Sequence, residues 1–217
     1  MQKKAEIIYV YDAYCGWCWG ISNTIVRLKN DFQEKFIFSA HPGGLMTGKR
    51  IGPIGDFGAY IEKAMPRVTE VTGAIFSEAQ KTLIRNRSTV MDSRVPAAAA
   101  LYIQEVDADV DTIDLAHTLL ALNFQTGVDI SKPENYVQIF QKFNVDAAAF
   151  FSKYNDGFFE EKVGDEFDFV RSTFGAESFP TLVYGQNGSY FPLCQGYQSY
   201  ENLAPALETL YREPPPL

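Results

Sequence analysis

Two cysteines separated by two residues, Cys15-Gly16-Trp17-Cys18, stand where an apolar stretch gives way to a helical pattern. The preceding residues 6–11 are mostly β-branched and aromatic, which predicts a buried strand. Residues 21–32 then repeat apolar side chains at helical spacing, which predicts a helix that begins near the second cysteine. The sequence therefore predicts two thiols at the start of a helix that directly follows a strand.

This position favours redox chemistry at the two thiols. Unpaired N–H groups and the positive end of the helix dipole stabilise a thiolate at a helix N-terminus. The two-residue spacing lets the second sulfur reach the first, so Cys18 can displace a substrate thiol from a mixed disulfide with Cys15. We interpret Cys15 as the nucleophile and Cys18 as the resolving thiol.

A zinc site and a purely structural cysteine pair are the other interpretations of the motif. Zinc would need two more ligands, and no remaining cysteine or histidine is paired at metal-ligand spacing. The soft side chains that remain are Cys194, His41 and His117. A structural pair is disfavoured because a glycine and a bulky tryptophan between the cysteines make a poor core segment. We therefore predict no metal.

Composition limits the partners of the chain. Its 217 residues are 46% hydrophobic and 21% charged, which is typical of one large globular domain or of a compact domain with an insertion. The net charge of −8 argues against nucleic acid or an anionic membrane surface as the main partner. Three cysteines are too few for a disulfide framework, so the motif is expected to cycle in a reducing compartment.

The N-terminal residues predict a cytoplasmic protein. The chain begins Met1-Gln2-Lys3-Lys4 and enters its first apolar run almost at once, but that run ends at Asp12. A secretory signal needs an apolar stretch of roughly 7–15 residues and a small-residue cleavage site. No run approaches the roughly 18 apolar residues of a membrane span, so no membrane partner is predicted.

The order of predicted elements indicates an α/β fold with an insertion. A second strand over 36–40 completes a strand–helix–strand unit, which predicts parallel strands. From Asp56 to about Asn155 strand signals vanish and helical patterns recur. The predicted N-terminal residues of these helices are Asp56, Ser77, Ser93, Asp111 and Ser131, the last with capping-box spacing to Glu134.

The last part of the chain returns to strands. A helical stretch precedes strands over 182–184 and 190–194, which Asn187-Gly188 joins as a hairpin turn, and a helix over 199–211 follows. Pro192 predicts an edge strand or a bulge. We predict a four-stranded mixed sheet flanked by helices. Residues 1–55 and 156–217 would form a discontinuous α/β domain, and 56–155 an all-helical insertion.

Two segments carry a resemblance to a known family: Asp12-Ala13-Tyr14-Cys15-Gly16-Trp17-Cys18-Trp19 and Ser178-Phe179-Pro180-Thr181. With a helical insertion between them, the chain resembles the DsbA family of thioredoxin-like proteins, and more specifically its cytosolic FrnE-like branch. The resemblance implies a thioredoxin-like fold and protein-disulfide oxidoreductase or isomerase activity. It also implies that Pro180 is a cis-proline that places the backbone of its neighbour beside the redox pair.

The resemblance also implies the cofactors and partners. The redox-active disulfide itself is the working group, with no bound cofactor and with glutathione as a candidate co-substrate. The partner is a protein or small molecule that carries a thiol or a disulfide. Periplasmic members have a histidine where this chain has Trp17, which adds no positive charge next to Cys15. We therefore expect a moderate reduction potential, with the direction of exchange and the oligomeric state left open.

Aromatic residues beside the motif are candidates for substrate contact. The predicted rim consists of Tyr14, Trp17, Trp19 and Phe179, although Trp19 is also expected to pack against the insertion. Asp12 could handle a proton or close the strand-to-helix turn, and we favour the turn. His117 is interpreted as a half-exposed or interface residue, and Cys194 as a small buried hydrophobe.

Two other functions stay open at this point. Glutathione-dependent isomerases and kappa-class transferases resemble the same plan of a thioredoxin fold with a helical insertion. A client-binding, chaperone-like module would use the apolar rim and leave the cysteines incidental. Two cysteines at exchange spacing favour thiol–disulfide exchange over both.

Overall fold

The computed structural model describes residues 4–215, so residues 1–3 and 216–217 of the predicted α/β domain lie outside it. The helices and strands follow one another as β1 (Glu6–Tyr11), α1 (Gly16–Phe32), β2 (Ile37–Pro42), β3 (Gly52–Pro53), α2 (Gly58–Thr72), α3 (Glu78–Asn86), β4 (Val90–Met91), α4 (Arg94–Val106), α5 (Thr112–Phe124), α6 (Val137–Lys142), α7 (Ala147–Asn155), α8 (Phe159–Phe174), β5 (Thr181–Gln186), β6 (Ser189–Gln195) and α9 (Tyr200–Arg212). Single turns of 3-10 helix lie at Gly48–Arg50, Ile54–Asp56 and Pro133–Tyr136.

The main sheet has four strands in the order β2-β1-β5-β6. β1 runs parallel to β2, to which α1 connects it, and antiparallel to β5. β5 and β6 are also antiparallel. The predicted mixed four-stranded sheet is therefore confirmed, and β1 lies at its centre.

Both faces of the central strand are covered by helices. Ile7 and Tyr9 point into the large core that also contains apolar residues of α1, α5 and α9. Ile8 and Val10 point to the opposite face, where Val170 of α8 belongs to the same cluster. A strand buried on both faces is expected to be apolar throughout, which explains the uninterrupted run that precedes the cysteines.

The β5–β6 hairpin confirms two local predictions. Asn187 and Gly188 form its turn with φ angles of 51° and 82°, the left-handed geometry that a two-residue hairpin turn requires. Pro192 lies in the edge strand β6, next to a register shift between Leu182 and Val183 of β5. The predicted edge position and the predicted bulge are therefore both present.

Helices α2–α7 lie in the chain between β2 and β5. The core that begins under β1 continues through α1 into α4 and α5 without a break. Tyr102, Phe140, Phe150 and Phe159 form an aromatic cluster within it, with ring centroids 4.6 to 6.1 Å apart for neighbouring pairs. Because Phe159 belongs to α8, the cluster crosses the predicted boundary at 155/156, and the division into domains stays a prediction.

Several local predictions within the insertion are wrong. Val90–Met91 forms β4 by pairing with β3, although no strand was expected there. Asp56 ends a 3-10 turn, and α2 begins after Phe57 instead. Ser131 donates to Asp129 Oδ1 at 2.6 Å and caps no helix. A two-residue strand is too short to produce an alternation signal, and the two caps are lost because 3-10 turns replace the expected helix starts.

The other predicted helix starts are present. Ser77 caps α3 by accepting a hydrogen bond from Gln80 N–H, and Asp111 caps α5. Ser93 stands at the N-cap position of α4, but its hydroxyl accepts from Met46 N–H at 2.8 Å instead. None of the helices between residues 4 and 215 combines the length and the apolar character that a membrane crossing requires.

Candidate active site

Cys15 occupies the N-cap position of α1. Its backbone is extended, and its Sγ accepts a hydrogen bond from Cys18 N–H at 3.3 Å. The first turn of α1 contains no acidic residue. The N–H group and the helix dipole thus both favour negative charge on the Cys15 sulfur.

The second contact of this sulfur comes from the far end of the chain. Cys15 Sγ–H donates to the carbonyl oxygen of Phe179 at 3.3 Å. The Phe179–Pro180 peptide bond is cis, the conformation that the resemblance implied. Gly43 follows β2 and leaves room for the Phe179 ring, because a Cβ at position 43 would lie 2.0 Å from that ring. The ends of β1 and β2 and the start of β5 therefore meet at the sulfur.

Cys18 differs from Cys15 in its surroundings. Its side chain is fully buried, and the burial together with the nearby Cys15 raises the pKa of the Cys18 thiol. The Tyr9 hydroxyl donates to the Cys18 carbonyl oxygen at 3.1 Å from beneath. Both cysteines are free thiols. Both cysteines are buried, Cys15 at 6% and Cys18 at 0% exposure, but only the Cys15 sulfur caps α1, so the pair is asymmetric.

Asp12 is buried and holds the turn between β1 and α1. Its Oδ1 accepts from Tyr14 N–H at 2.9 Å, and its Oδ2 accepts from Leu45 N–H at 2.7 Å. Burial raises the pKa of Asp12, although these hydrogen bonds oppose the shift. These two hydrogen bonds to backbone N–H groups agree with the turn role that the sequence favoured for Asp12. A role of Asp12 in proton handling stays a proposal.

A cavity of about 170 Å³ opens beside Cys15. Three of the four predicted rim residues line it, namely Tyr14, Trp17 and Phe179, together with side chains of α2, α3 and α5. Trp17 also packs beside Tyr197, with ring centroids 6.3 Å apart. The redox motif and the helical region therefore enclose one space.

Trp19 does not line this cavity. It is only 7% exposed, stacks on His117 and Phe124, and donates its Nε1–H to the Ile75 carbonyl oxygen at 3.0 Å. Its side chain points from α1 into the insertion, so the packing role is the one that the geometry supports. The packing that was expected for Trp19 is therefore present, and its contact with substrate stays a prediction.

Comparison with known proteins agrees with this architecture. A model of the DSBA-like thioredoxin domain matches residues 6–208. The chain belongs to the DSBA-like thioredoxin family. No curated protein sequence matched this DSBA-like chain.

Solved structures share the fold at low sequence identity. A Nitrosomonas europaea protein classed provisionally as a protein disulfide isomerase has a TM-score of 0.81 and 17% identity, over 98% of this chain and 100% of that one. The cytosolic disulfide reductase DsbM of Pseudomonas aeruginosa has a TM-score of 0.74 and 24% identity, over 95% and 98%. Its structure with GSH gives 0.71 and 23%, over 95% and 99%.

A 2-hydroxychromene-2-carboxylate isomerase also shares the fold, with a TM-score of 0.61 and 11% identity over 95% of both chains. At these identities the structures establish the shared fold of the DSBA-like chain and nothing finer. The FrnE-like branch stays a prediction from the motif residues.

Three residues around the site of this DSBA-like protein were not predicted from the sequence. Asn123 is 2% exposed and donates its Nδ2–H to the Ala13 carbonyl oxygen at 2.8 Å, which ties α5 to the turn before the motif. Gln80 lines the cavity, and Gly43 contacts Phe179. An asparagine within the apolar pattern of α5 was the one signal that could have pointed to a buried polar contact.

The soft side chains outside the motif are dispersed. His41 Nδ1 lies 2.7 Å from Glu166 Oε1, and His117 Nδ1 lies 2.7 Å from the Ser22 hydroxyl. Cys194 lies in β6, where burial raises the pKa of its thiol to about 11. Within residues 4–215 no three side chains among histidine, cysteine, aspartate and glutamate come together in an arrangement that could hold a metal ion.

Proposed function

We propose that the protein is a thiol–disulfide oxidoreductase in which Cys15 attacks and Cys18 resolves. One observation carries the proposal: the Cys15 sulfur caps α1, accepts from Cys18 N–H at 3.3 Å and borders an open cavity. Family membership supports the same reaction class, because thiol–disulfide exchange is what a Cys-x-x-Cys pair at a helix start performs.

In the proposed cycle the Cys15 thiolate attacks one sulfur of a substrate disulfide. The substrate S–S bond breaks, one substrate sulfur leaves as a thiolate and takes up a proton, and a mixed disulfide forms on Cys15. Cys18 then loses its proton and attacks the Cys15 sulfur, which releases the second substrate thiol. The substrate gains two electrons and the Cys15–Cys18 pair loses two, and the reverse direction donates the disulfide.

The contact with Phe179 supports a role in substrate binding. Only the protonated Cys15 sulfur can donate to the Phe179 carbonyl, so forming the thiolate frees this oxygen to accept an N–H from an extended substrate. The Pro180 carbonyl already accepts from Gly196 N–H at 2.7 Å. Tyr14 and Trp17 would provide the apolar surface beside the reacting sulfurs.

We propose a moderate reduction potential and a reducing compartment such as the cytoplasm. Trp17 places no charge beside Cys15, and the first turn of α1 carries no acidic residue that would oppose a thiolate. A strong oxidant, near −120 mV, is then disfavoured, and the direction of exchange stays open. The comparison with a cytosolic reductase supports the compartment through the fold alone.

Glutathione-dependent isomerisation is the weaker alternative. A neighbour with GSH and an isomerase share the fold, but a single thiol or hydroxyl is enough to activate glutathione. The asymmetric surroundings of Cys15 and Cys18 favour a pair that works in sequence. Activity with glutathione that survives Cys18→Ser would support the alternative. Client holding that survives the Cys15→Ser, Cys18→Ser double variant would support a chaperone.

Insulin reduction in the presence of dithiothreitol tests the proposal. We expect Cys15→Ser to abolish the catalysed rate while circular dichroism stays unchanged. Cys194→Ser is the matched control, since it removes the one cysteine outside the motif, in β6, and should retain the wild-type rate. A folded Cys15→Ser variant with wild-type activity would overturn the proposal.

A further inference from the structure

The cavity beside Cys15 has the size of one small apolar group. Its volume of about 170 Å³ is close to that of engineered protein cavities of about 150 Å³ that bind benzene. Ala64, Met65 and Val68 of α2 form part of its wall, and Phe124 of α5 closes another side. Tyr60, which is 71% exposed, stands at its edge, so the space reaches the surface.

Apart from Cys15 itself, which reacts as a thiolate, the wall of this cavity carries no charge. Aromatic, aliphatic and amide side chains line it, and none of the described lining residues is acidic, basic or a histidine. An ionised group in such a surrounding loses its hydration without gaining a partner, which is strongly unfavourable. The cavity therefore disfavours a charged group on the substrate sulfur, in a disulfide and in a thiol alike.

Two polar atoms of wall residues, the Tyr14 hydroxyl oxygen and Gln80 Oε1, are buried without a hydrogen-bond partner among residues 4–215. Neither atom is exposed to the cavity, so neither offers an occupant a hydrogen bond or a charge. The other amide in the wall, Asn123, already donates to Ala13.

We propose that this cavity is a specificity site for an uncharged, ring-sized group attached to the sulfur that exchanges with Cys15. The preferred substrates are then neutral apolar disulfides and thiols. Charged small thiols such as glutathione, with two carboxylates and an ammonium group, are poor occupants. The inference rests on the proposed function, because it assigns a substrate class to the same sulfur.

A matched pair of probes tests this selectivity in the reduced protein. Bis(4-carbamoylphenyl) disulfide and bis(4-carboxyphenyl) disulfide differ only in a neutral amide against a carboxylate. Cys15 attacks the probe, one aryl thiolate leaves, and Cys18 displaces the second aryl thiol as the Cys15–Cys18 disulfide forms. Each rate is divided by the rate of the same probe with free dithiothreitol, which removes the difference in intrinsic reactivity.

Both rates are measured in about 1 M salt, where the Debye length is about 3 Å. The salt screens repulsion of the carboxylate probe by the net charge of −8, so that the remaining difference in rate reports the cavity. We expect the normalised rate to be at least about tenfold higher for the amide probe, because the carboxylate would enter the uncharged cavity unpaired. A normalised ratio near one would overturn the inference.

A size variant gives a second, independent readout. Ala64→Leu fills part of the cavity, and we expect it to slow the amide probe at least about fivefold relative to 2-hydroxyethyl disulfide, which has no ring to place. Ala148→Leu, at an exposed position of α7, is the control and should leave this ratio unchanged. An unchanged ratio in folded Ala64→Leu would also overturn the inference.

The two proposals fail in different ways. If Cys15 exchanges with every probe without regard to charge or size, the oxidoreductase proposal stands and the specificity site is wrong. If Cys15 exchanges with none of them, 2-hydroxyethyl disulfide included, the oxidoreductase proposal itself is wrong.

Discussion

The sulfur of Cys15 lies 3.3 Å from the carbonyl oxygen of Phe179, although the two residues are 164 positions apart in the chain. The contact joins the start of α1 to the residue before the cis-proline. It exists only while Cys15 carries its proton, so it marks the thiol form of the nucleophile. Changes on either side of this contact are therefore expected to appear in the reactivity of Cys15.

The two cysteines are predicted to alkylate at different rates. Burial raises the pKa of the Cys18 thiol, so Cys18 stays neutral below that pKa. Because Cys18 is fully buried, the reagent also has no access to its sulfur. In native protein below neutral pH, iodoacetamide should modify Cys15 much faster than Cys18, as followed by peptide mass spectrometry. Equal rates would contradict the assignment of the nucleophile, and denatured protein, in which both thiols react alike, is the control.

Trp17→His is predicted to make the pair more oxidising. A protonated imidazole beside Cys15 would stabilise the thiolate and hence the reduced form. The reduction potential, measured against a glutathione buffer, should rise by tens of mV, where about 30 mV is a tenfold change in the equilibrium constant. Trp17→Phe removes the same bulk without adding charge, and a potential that is equal in the two variants would exclude this charge effect.

Gly43→Ala is predicted to disturb the site through Phe179. Its Cβ would lie 2.0 Å from the Phe179 ring, so the ring and its backbone must move away from Cys15. Overpacking of this kind costs about 1–3 kcal/mol in the free energy of unfolding, and the insulin-reduction rate should fall as well.

Gly164→Ala is the matched control for Gly43→Ala. Gly164 lies within α8 with open space around its Cα, so alanine should stabilise the protein by about 0.5–1 kcal/mol and leave the rate unchanged. Urea unfolding and the insulin assay measure both variants. A Gly43→Ala protein as stable and as active as Gly164→Ala would contradict the packing of Phe179.

Asp12→Asn is predicted to change how stability depends on pH. Burial raises the folded-state pKa of Asp12 above its unfolded value of about 3.9, so its contribution is fully present below about pH 4 and is lost as pH rises through the folded pKa. The stability of wild type relative to Asp12→Asn should therefore fall in urea unfolding as the pH rises above about 4. The exposed Asp109→Asn should show no such trend, and a relative stability that rises with pH would contradict the burial of the charge.

The strands, the first helix and the hairpin could be predicted because each carries a local signal. The apolar run of β1, the helical spacing of α1 and the turn residues Asn187 and Gly188 each depend on near neighbours in the chain. The cysteine pair could be placed at the start of α1 for the same reason. The cis geometry at Pro180 was implied by the resemblance alone.

The rest of the site depends on contacts between distant segments. Trp19 was expected both on the rim and against the insertion, and its packing on Phe124 of α5 is a long-range contact that no local pattern encodes. The cavity beside Cys15 forms only when α2 and α3 pack against the motif, so its size and uncharged wall are properties of the assembled fold. The contact between Gly43 and Phe179 likewise joins segments that are far apart in the chain.

Trapping of the mixed disulfide tests the central claim most directly. Reduced Cys18→Ser, mixed with an excess of a model disulfide, should accumulate a substrate adduct on Cys15 that intact-protein mass spectrometry and peptide mapping can locate. Reduced Cys15→Ser should form no comparable adduct on the buried Cys18. If the adduct formed instead on Cys18, or on neither cysteine of the motif, the account of Cys15 as nucleophile and Cys18 as resolving thiol would be wrong.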